Sequence, residues 1–388
     1  MLRLSVALLV ALCLAIPSSA QSDVSLPVTA LPMLEVPAVV EMGGASVGRS
    51  GSDPRLGLQN PAAFGMMARD VAQSVGGAPS ATWYGENRYG AGAAMWGLRS
   101  ERLAAGLAVS QGALQGADRT LGDGTPYTPA DRFRSLSLGV ATTGALRGGV
   151  GVTGRYVTAT DVPVWTGTTY RTGQLRGASL DLGAQAQADV AALAGSPTIG
   201  MLRPTLDVTV GYAQTNISGA IRYSGFDRQP LPRTAAAGWS VRAGLDLPVA
   251  SGAVRLVEIE AAVSGERSLV RQSAGTTSYA VLSNGMDVWS AATGAGDEAT
   301  TGRRGLQITL GETVVVSTGR FDGWGYSGVQ TRGWELRTAG LSRALARAVP
   351  SVLAPILQRT DVRVGRSTVW AGTDNAASRT TLSLVVTR

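Results

Sequence analysis

The feature that most constrains the fold is a two-residue alternation of apolar with small or polar side chains along most of the chain. Within one such stretch, Leu206, Val208 and Val210 alternate with Asp207 and Thr209. Successive side chains of a strand point to opposite faces of its sheet, so this period predicts strands with one apolar face. In a sandwich the apolar faces would meet, whereas in a membrane barrel they face lipid and the polar faces line the lumen.

The number and spacing of the alternating segments favour the barrel. There are about fourteen, at 80–85, 89–98, 102–117, 131–143, 146–160, 176–189, 202–216, 235–248, 254–268, 303–311, 313–321, 330–340, 361–371 and 379–388. The connections that follow odd-numbered segments include the long ones, at 118–130, 161–175, 217–234, 269–302 and 322–329, while most of the others are short. Long outer loops and short periplasmic turns are typical of outer-membrane barrels. The sequence therefore predicts an all-β fold, a transmembrane antiparallel β-barrel of about 14 strands in the outer membrane of a Gram-negative type envelope.

The alternation also predicts which side chains face lipid and which face the lumen. We expect Val208 to face lipid and Thr209 to face the lumen, because they occupy opposite positions of one segment. Six charged side chains should likewise point inward, where opposite charges can pair: Asp181, Asp189, Asp207, Arg242, Asp246 and Arg255.

The first twenty residues have the pattern of a secretory signal peptide. Arg3 precedes an apolar run from Leu4 to Ile16, and small residues stand at Ser18 and Ala20. The run is too short to span a bilayer as a helix, so we expect cleavage after Ala20. Residues 21–79 are then predicted to form an N-terminal arm and plug, and residues 80–388 the barrel.

One segment inside the barrel region has a helical pattern instead. Residues 341–358 place leucine, isoleucine and valine on one side and are interrupted by Pro350 and Pro355. The segment follows an even-numbered strand, so we predict a periplasmic helical insertion. It either packs as a cap on the barrel end or binds a partner.

Composition excludes much of enzyme chemistry. The chain has no His and no Lys, and its only Cys, Cys13, lies in the expected signal peptide. Imidazole bases, His-bound metals, Schiff bases and thiol nucleophiles are therefore absent from the mature protein. We predict a non-enzyme without catalytic residues, cofactor or metal. The alternative of carboxylate catalysis would rest on Asp287, Asp297 and Glu298, for which a solvated loop is the simpler interpretation.

The charge pattern gives no indication of nucleic-acid binding. The formal net charge is +7, and all basic residues are Arg, spread along the chain with no cluster longer than Arg303-Arg304. A nucleic-acid interface would concentrate them. We expect no nucleic-acid partner.

The region before the barrel carries a glycine-rich stretch that begins at Gly43 and Gly44 and is followed by Asn60-Pro61-Ala62. A phosphate loop is disfavoured because no Lys follows and the spacing does not match. We instead expect a tight, crowded turn and then a short helix with Asn60 as its cap and Pro61 at its first position.

This arrangement resembles the start of the PorV/PorQ family, relatives of FadL-type barrels, in which a glycine-rich segment leads to an Asn-Pro-Ala box in an N-terminal plug. A second stretch is similar to that family's asparagine turn and Leu-Pro-Arg signature; it comprises Asn216, Pro230, Leu231, Pro232 and Arg233. The resemblance implies a plugged, non-catalytic outer-membrane barrel of fourteen strands.

Two functions follow from this resemblance. PorV-like members assist protein secretion and surface attachment, so the implied partners are outer-membrane lipid and the type IX secretion translocon or secreted proteins. The alternative is a FadL-like channel that passes small hydrophobic compounds through the barrel wall. Fold resemblance alone does not select between them.

Overall fold

The computed structural model of the protein describes residues 42, 44–82, 88–165, 170–217, 220–223, 229–231, 233–249, 252–273, 276–279, 288–297, 299–323, 326–345, 354–370 and 376–387. The expected signal peptide and its cleavage after Ala20 lie outside these residues. So do Gly43, Pro232, Asp287 and Glu298.

Fourteen strands form one closed antiparallel barrel, which confirms the predicted fold. They are β1 (Val71–Thr82), β2 (Arg88–Arg99), β3 (Leu103–Gln115), β4 (Ala130–Thr142), β5 (Leu146–Trp165), β6 (Tyr170–Asp189), β7 (Arg203–Thr215), β8 (Thr234–Val249), β9 (Gly252–Ser268), β10 (Thr300–Leu310), β11 (Val314–Gly323), β12 (Tyr326–Arg337), β13 (Thr360–Trp370) and β14 (Ala376–Thr387). Each strand pairs with its neighbours in the chain, and β1 pairs with β14 to close the ring.

The outer surface of the barrel is an apolar band. Large apolar side chains that point outward are exposed on most strands of the wall, among them Leu98, Leu107, Leu138, Val150 and Leu382. The alternate positions point inward and are buried, and the predicted pair follows this rule, since Thr209 is 1% exposed while Val210, on the Val208 face, is 41% exposed. An apolar outer band around a polar interior is the surface of a membrane-spanning barrel.

The two ends of the barrel differ in their connections. Tight turns join β2 to β3, β4 to β5, β8 to β9 and β10 to β11, and β1 begins and β14 ends on the same side, here called the turn end. The opposite loop end carries connections at 116–129, 216–233 and 269–299, and the turn end has two longer connections of its own, at 190–202 and 338–359. In outer-membrane barrels the short turns face the periplasm and the long loops face outward.

Three predicted boundaries were wrong. The first strand begins at Val71 and not at residue 80; its Gly76-Gly77 pair and small side chains hide the alternation, and hydrogen bonding to β2 and β14 defines it. The expected long connections at 161–175 and 322–329 belong mostly to strands. β5 and β6 continue to pair as far as Trp165 and Tyr170, and β11 and β12 as far as Gly323 and Tyr326. Backbone pairing extends these hairpins beyond the segments in which the alternation is visible in the sequence.

Short helices lie in two connections at the turn end. The connection between β6 and β7 contains α2 (Val190–Leu193), and the connection between β12 and β13 contains α4 (Ala339–Leu345) and α5 (Ala354–Arg359). In the segment 341–358 the structure thus has parts of two helices, and 346–353 lies outside the described residues. Within the described part of the chain, no helix has the length and apolar character of a helical membrane span.

The connection between β9 and β10 returns to the outer wall of the barrel. Its helix α3 (Val288–Thr293) packs on β8 and β9, where Trp239 Nε1 donates a hydrogen bond of 2.9 Å to the carbonyl of Ala292. Gly265 on β9 leaves room for the backbone of the helix. Part of the long connection between β9 and β10 is thus bound to the barrel itself.

The membrane position of the apolar band can be tested on one strand. Leu103 and Leu107 both point outward from β3 and are 52% and 46% exposed, but Leu103 lies at the turn end and Leu107 lies further into the band. Leu107→Arg should cost about 2–4 kcal/mol of unfolding free energy and Leu103→Arg about 0–1 kcal/mol, because the penalty for arginine grows toward the bilayer midplane. Reversible unfolding from phosphatidylcholine bilayers measures both values. Equal costs, or the reverse order, would contradict the assigned depth.

Candidate functional site

The barrel interior is blocked by a plug formed from residues 42–70. A 3-10 helix, Pro54–Leu58, is followed by α1 (Ala62–Met67), and every residue of these two helices is buried. α1 lies against the inner faces of β3, β4 and β5. The described residues of this segment therefore occupy the lumen.

The predicted plug residues lie at the centre of this contact. Asn60 is fully buried, and its Nδ2 donates to the carbonyls of Val47 at 2.8 Å and Ala184 at 3.1 Å. Its Oδ1 accepts from the Ala62 N–H at 3.1 Å, so Asn60 binds the start of the helix as expected. The helix begins one residue later than predicted, at Ala62, with Pro61 in the capping position. Gly44 has a φ of 74°, a conformation that favours glycine.

The wall that receives α1 is made of glycine. Four consecutive strands, β3 to β6, place glycines in direct register on their inner faces; this glycine track comprises Gly106, Gly139, Gly151 and Gly183. A Cβ atom on these glycines would overlap the backbone of Phe64, Gly65 or Pro61, or the side chain of Asn60. Plug and wall therefore meet backbone to backbone, a contact that only glycine permits. Sequence reasoning missed the track because its members are adjacent only after the strands are paired.

Polar side chains hold the other half of the plug. Arg49 makes a bidentate ion pair with Glu260 of β9, at 2.9 and 3.1 Å, and also donates to Gln307 of β10 at 3.3 Å. Gln185 Nε2 donates to the carbonyls of Val47 and Arg49 at 3.1 and 2.9 Å. Removal of one partner from a buried ion pair costs about 3–5 kcal/mol, because the other charge is left unpaired. The plug is thus tied to both sides of the barrel.

A second ion pair braces the plug from within. Arg55 donates from Nε to Asp53 Oδ1 at 2.9 Å, and Arg363 of β13 donates to Ser52 Oγ at 2.6 Å. Burial alone would raise the pKa of the Asp53 carboxyl, but the charge and hydrogen bonds of Arg55, together with the charge of Arg363, hold that pKa below its usual value. Because this carboxyl pKa is lowered, the ion pair of Asp53 with Arg55 stabilises the folded state at neutral pH. That stabilisation is lost only as the pH falls through the lowered pKa.

The turn-end half of the lumen is a charged cavity. A space of about 460 Å³ lies between the plug and the turns, with Arg242, Arg255, Glu258, Glu260 and Arg337 in its lining. Most of these charges are paired, for example Arg255 with Asp246 at 2.7 Å and Arg242 with Glu260 at 3.4 Å. This side of the plug is polar and open to water.

The loop-end half of the lumen contains a large apolar cluster beside buried ion pairs such as Arg155–Asp181 and Arg303–Glu266. A continuous cluster of buried side chains runs from the plug to the loops; it contains Leu56, Leu58 and Phe64 of the plug and, from the wall and loops, Tyr89, Leu114, Phe133, Val157, Leu175, Leu231, Phe321, Val329 and Val369. Guanidinium groups lie on its aromatic rings, with Arg379 4.5 Å from the centre of Tyr89 and Arg155 5.4 Å from that of Phe133. The apolar cluster therefore lies mainly on the loop side of the plug, while the cavity on the turn side is lined mostly by charged side chains.

The second predicted motif closes the wall at the loop end. Asn216 has a φ of 54°, and its backbone N–H donates to Asp181 Oδ1 at 2.8 Å. Leu231 is fully buried in the apolar cluster, Pro230 pairs with Ala220, and Arg233 donates to the carbonyl of Ile217. The described residues 220–223 of this connection pair with β6. The motif thus supports the apolar half of the lumen and does not form a separate site.

The charged residues predicted to face the lumen are mostly in ion pairs there. Asp181 pairs with Arg155 at 2.8 Å, and Asp207 pairs with Arg147 at 3.4 Å. Asp189 instead accepts from the Ala192 N–H and caps α2. In the outer loop, Asp297 accepts from two backbone N–H groups of its own turn. Within the described residues, no group of three or more potential metal ligands comes together.

The boundary between the first and last strands of the barrel, here called the seam, is incompletely paired. The β1–β14 ladder runs from Val71–Thr387 to Gly77–Leu382 and ends there, although both strands continue toward the loop end. β1 is also bulged between Ala78 and Ala81. Above this point the seam between the first and last strands lacks backbone hydrogen bonds among the described residues. Arg379 of β14 and Tyr89 of β2 meet behind it.

Comparison with known proteins gives structural similarity only. The sequence matches no protein family and no curated protein. Among solved structures, the chain is similar to the Ralstonia pickettii toluene transporter TbuX, with a TM-score of 0.44 and 11% identity over 91% of this chain and 97% of that one. A Pseudomonas aeruginosa FadL homologue has a TM-score of 0.39 and 10% identity over 91% and 97%. The translocator domain of the Neisseria meningitidis autotransporter NalP has a TM-score of 0.39 and 12% identity over 82% and 87%. These values are too low to assign a family or a function.

The glycine track gives a test of the plug. Gly151→Ala places a methyl group on the backbone of Pro61 and should displace the plug, whereas Gly154→Ala on the same strand meets nothing within 4 Å. We expect the first variant to conduct more current in planar bilayers and to be cut by trypsin after Arg49 or Arg55. The second variant should behave like the unaltered protein. Equal conductance and equal protection in both variants would refute the close contact.

Proposed function

We propose that this protein is an outer-membrane channel for small apolar compounds, held closed by its plug. The observation that carries the proposal is the continuous apolar cluster on the loop side of the plug. A pore for polar solutes has a polar, water-filled interior. Here the half of the lumen that faces outward is filled by its own side chains, and a continuous apolar cluster runs through it.

The apolar half gives an apolar compound a reason to enter. Each square ångström of apolar surface that leaves water contributes about 25 cal/mol, so a small aromatic or aliphatic molecule gains when its own surface moves from water to a place among these side chains. The charged cavity on the other side of the plug offers no comparable gain, because its lining residues include Arg242, Glu258 and Glu260. An apolar molecule that enters from the loop end is therefore not drawn onward through the turn end.

The incompletely paired seam supplies a way out. Between Ala78–Thr82 of β1 and Ala376–Thr381 of β14, parting the strands breaks no ladder hydrogen bond. The seam begins above Gly77 and Leu382 and continues to the loop end, so it opens toward the outer part of the apolar band. The Arg379–Tyr89 contact connects β14 at the seam to the apolar cluster, of which Tyr89 is a member. We infer that apolar compounds leave the lumen sideways into the membrane at this seam.

The role of the apolar cluster can be tested by isosteric substitution. Changing Val157, Val329 and Val369 together to Thr adds three hydroxyl groups to the cluster, and changing Val150, Val316 and Val364 to Thr adds three to the outer face. We expect the inward triple variant to slow the uptake of a small apolar fluorescent tracer into proteoliposomes several-fold. The outward triple variant should keep most of the uptake rate.

Two outcomes of that experiment would contradict the proposal. One is uptake through the unaltered protein that is no faster than through empty vesicles, and the other is an equal loss in both triple variants. The first outcome would favour the interpretation that the barrel serves protein secretion, which stays a prediction. That interpretation requires a protein partner, and co-purification from intact outer membranes would identify one.

The seam can be locked without disturbing the rest of the barrel. The mature chain is expected to lack Cys, so Ala78→Cys with Thr381→Cys gives one pair across the unpaired part and Val75→Cys with Leu384→Cys gives one across the paired part. Oxidation of the first pair should abolish tracer uptake, and reduction should restore it. Oxidation of the second pair should leave uptake unchanged. If the first pair forms its disulfide and uptake continues at the original rate, the route does not lie at this seam, although the channel function would stand.

A further inference from the structure

A group of arginines lies on the outside of the barrel, where the apolar band ends. Arg304, Arg320, Arg332 and Arg366 stand on four neighbouring strands, β10 to β13, and all four side chains point outward and are exposed. We call them the arginine patch. Most inward arginines of the barrel lie in ion pairs, whereas this patch faces the surroundings of the protein.

The patch has too little negative charge to neutralise it. Arg304 and Arg320 are direct cross-strand partners, an arrangement in which like charges destabilise a sheet. Asp322 is the only acidic residue that points outward from these four strands, and it lies 3.6 Å from Arg304 and 3.1 Å from Arg320. The same carboxylate also accepts a hydrogen bond from the Gly296 N–H. One carboxylate therefore serves two arginines and a backbone donor.

The other two arginines have no carboxylate partner among the described residues. Arg332 lies over the ring of Trp370 at 5.5 Å, which fixes its position without neutralising its charge. Arg366 is directly opposite Trp334 in the ladder and takes part in no described ion pair. The patch as a whole thus carries an excess of positive charge in a fixed arrangement.

The surface next to the patch is apolar on its turn side. Leu306, Val316, Trp334 and Val364 lie nearer the turn end of the same four strands and are exposed on the same face. A ligand that fills both regions must combine an anionic head with apolar chains. A guanidinium group binds phosphate through paired hydrogen bonds, and this geometry is a reason why arginine, rather than lysine, suits such a site.

We propose that the arginine patch binds the phosphate groups of outer-leaflet lipids, whose acyl chains lie along the apolar band below. The site is on the outside of the wall, so it is separate from the lumen and does not depend on the proposed transport. Basic residues next to a membrane surface attract anionic headgroups, and each contributes to the affinity. The bound lipid would also relieve the repulsion between Arg304 and Arg320.

The test is lipid binding by the full-length barrel in detergent, measured by native mass spectrometry. Dimyristoyl phosphatidic acid should bind at least about tenfold more tightly than dimyristoylglycerol, which has the same chains without the phosphate. The double variant Arg320→Gln and Arg332→Gln should lose at least about tenfold in affinity for phosphatidic acid. The variant with lysine at both positions keeps the charge and should retain part of the binding.

A matched control distinguishes the effect of the patch on lipid binding from the effect of the overall charge. Arg102 and Arg119 are exposed in connections away from the patch, so Arg102→Gln with Arg119→Gln removes the same charge and should leave binding unchanged. Circular dichroism confirms that each variant is a folded barrel. Three results would overturn the proposal: equal binding of the two lipids, an equal loss in the control variant, or displacement of the lipid by inorganic phosphate at the same concentration. The last result would indicate a site for free phosphate.

Discussion

The structure depends on one contact, the meeting of two backbones inside the barrel. The glycine track brings the inner walls of β3 to β6 against α1 at a distance that no side chain allows. Close contact of this kind excludes water, so the polar groups of the plug must find partners in the wall. Asn60 makes such contacts, since its side-chain amide donates hydrogen bonds to the carbonyl of Val47 in the plug and to the carbonyl of Ala184 in the wall. The abundance of glycine in this chain is thus explained in part by the plug, not only by turns.

The position of the plug determines the character of the two spaces beside it. α1 and the 3-10 helix place Leu56, Leu58 and Phe64 in the apolar cluster, while Arg49 and Asp53 line the charged cavity. A plug with the same outline but a uniform surface would leave either buried charges without partners or apolar groups in water. Both are costly, so plug and wall must be matched in polarity as well as in shape. The division of the lumen therefore follows from the segment that blocks it.

The sequence allowed the barrel to be predicted because its signal is local. Two-residue alternation is visible in any strand that has lipid on one side and a packed lumen on the other, as at Val208 and Thr209. β1 lacked this signal, since Gly76, Gly77 and their small neighbours can face either environment. The glycine track could not be predicted, because Gly106, Gly139, Gly151 and Gly183 are far apart in the chain and become neighbours only through strand register. The motif residues Asn60 and Asn216 were found, but their buried hydrogen bonds depend on that same register.

The arginines show how one residue type performs opposite tasks on the two faces of a single wall. Inside, Arg49 and Arg155 are buried beside Glu260 and Asp181, where an unpaired charge would be expensive. Outside, the arginine patch lies where the apolar band gives way to water, and an arginine there can keep its charge without a protein partner. The chain contains no lysine, so every fixed positive charge at this boundary is a planar donor suited to phosphate. Arginines that point inward toward the plug are therefore paired with carboxylates. Arginines of the patch keep an uncompensated charge at the edge of the apolar band.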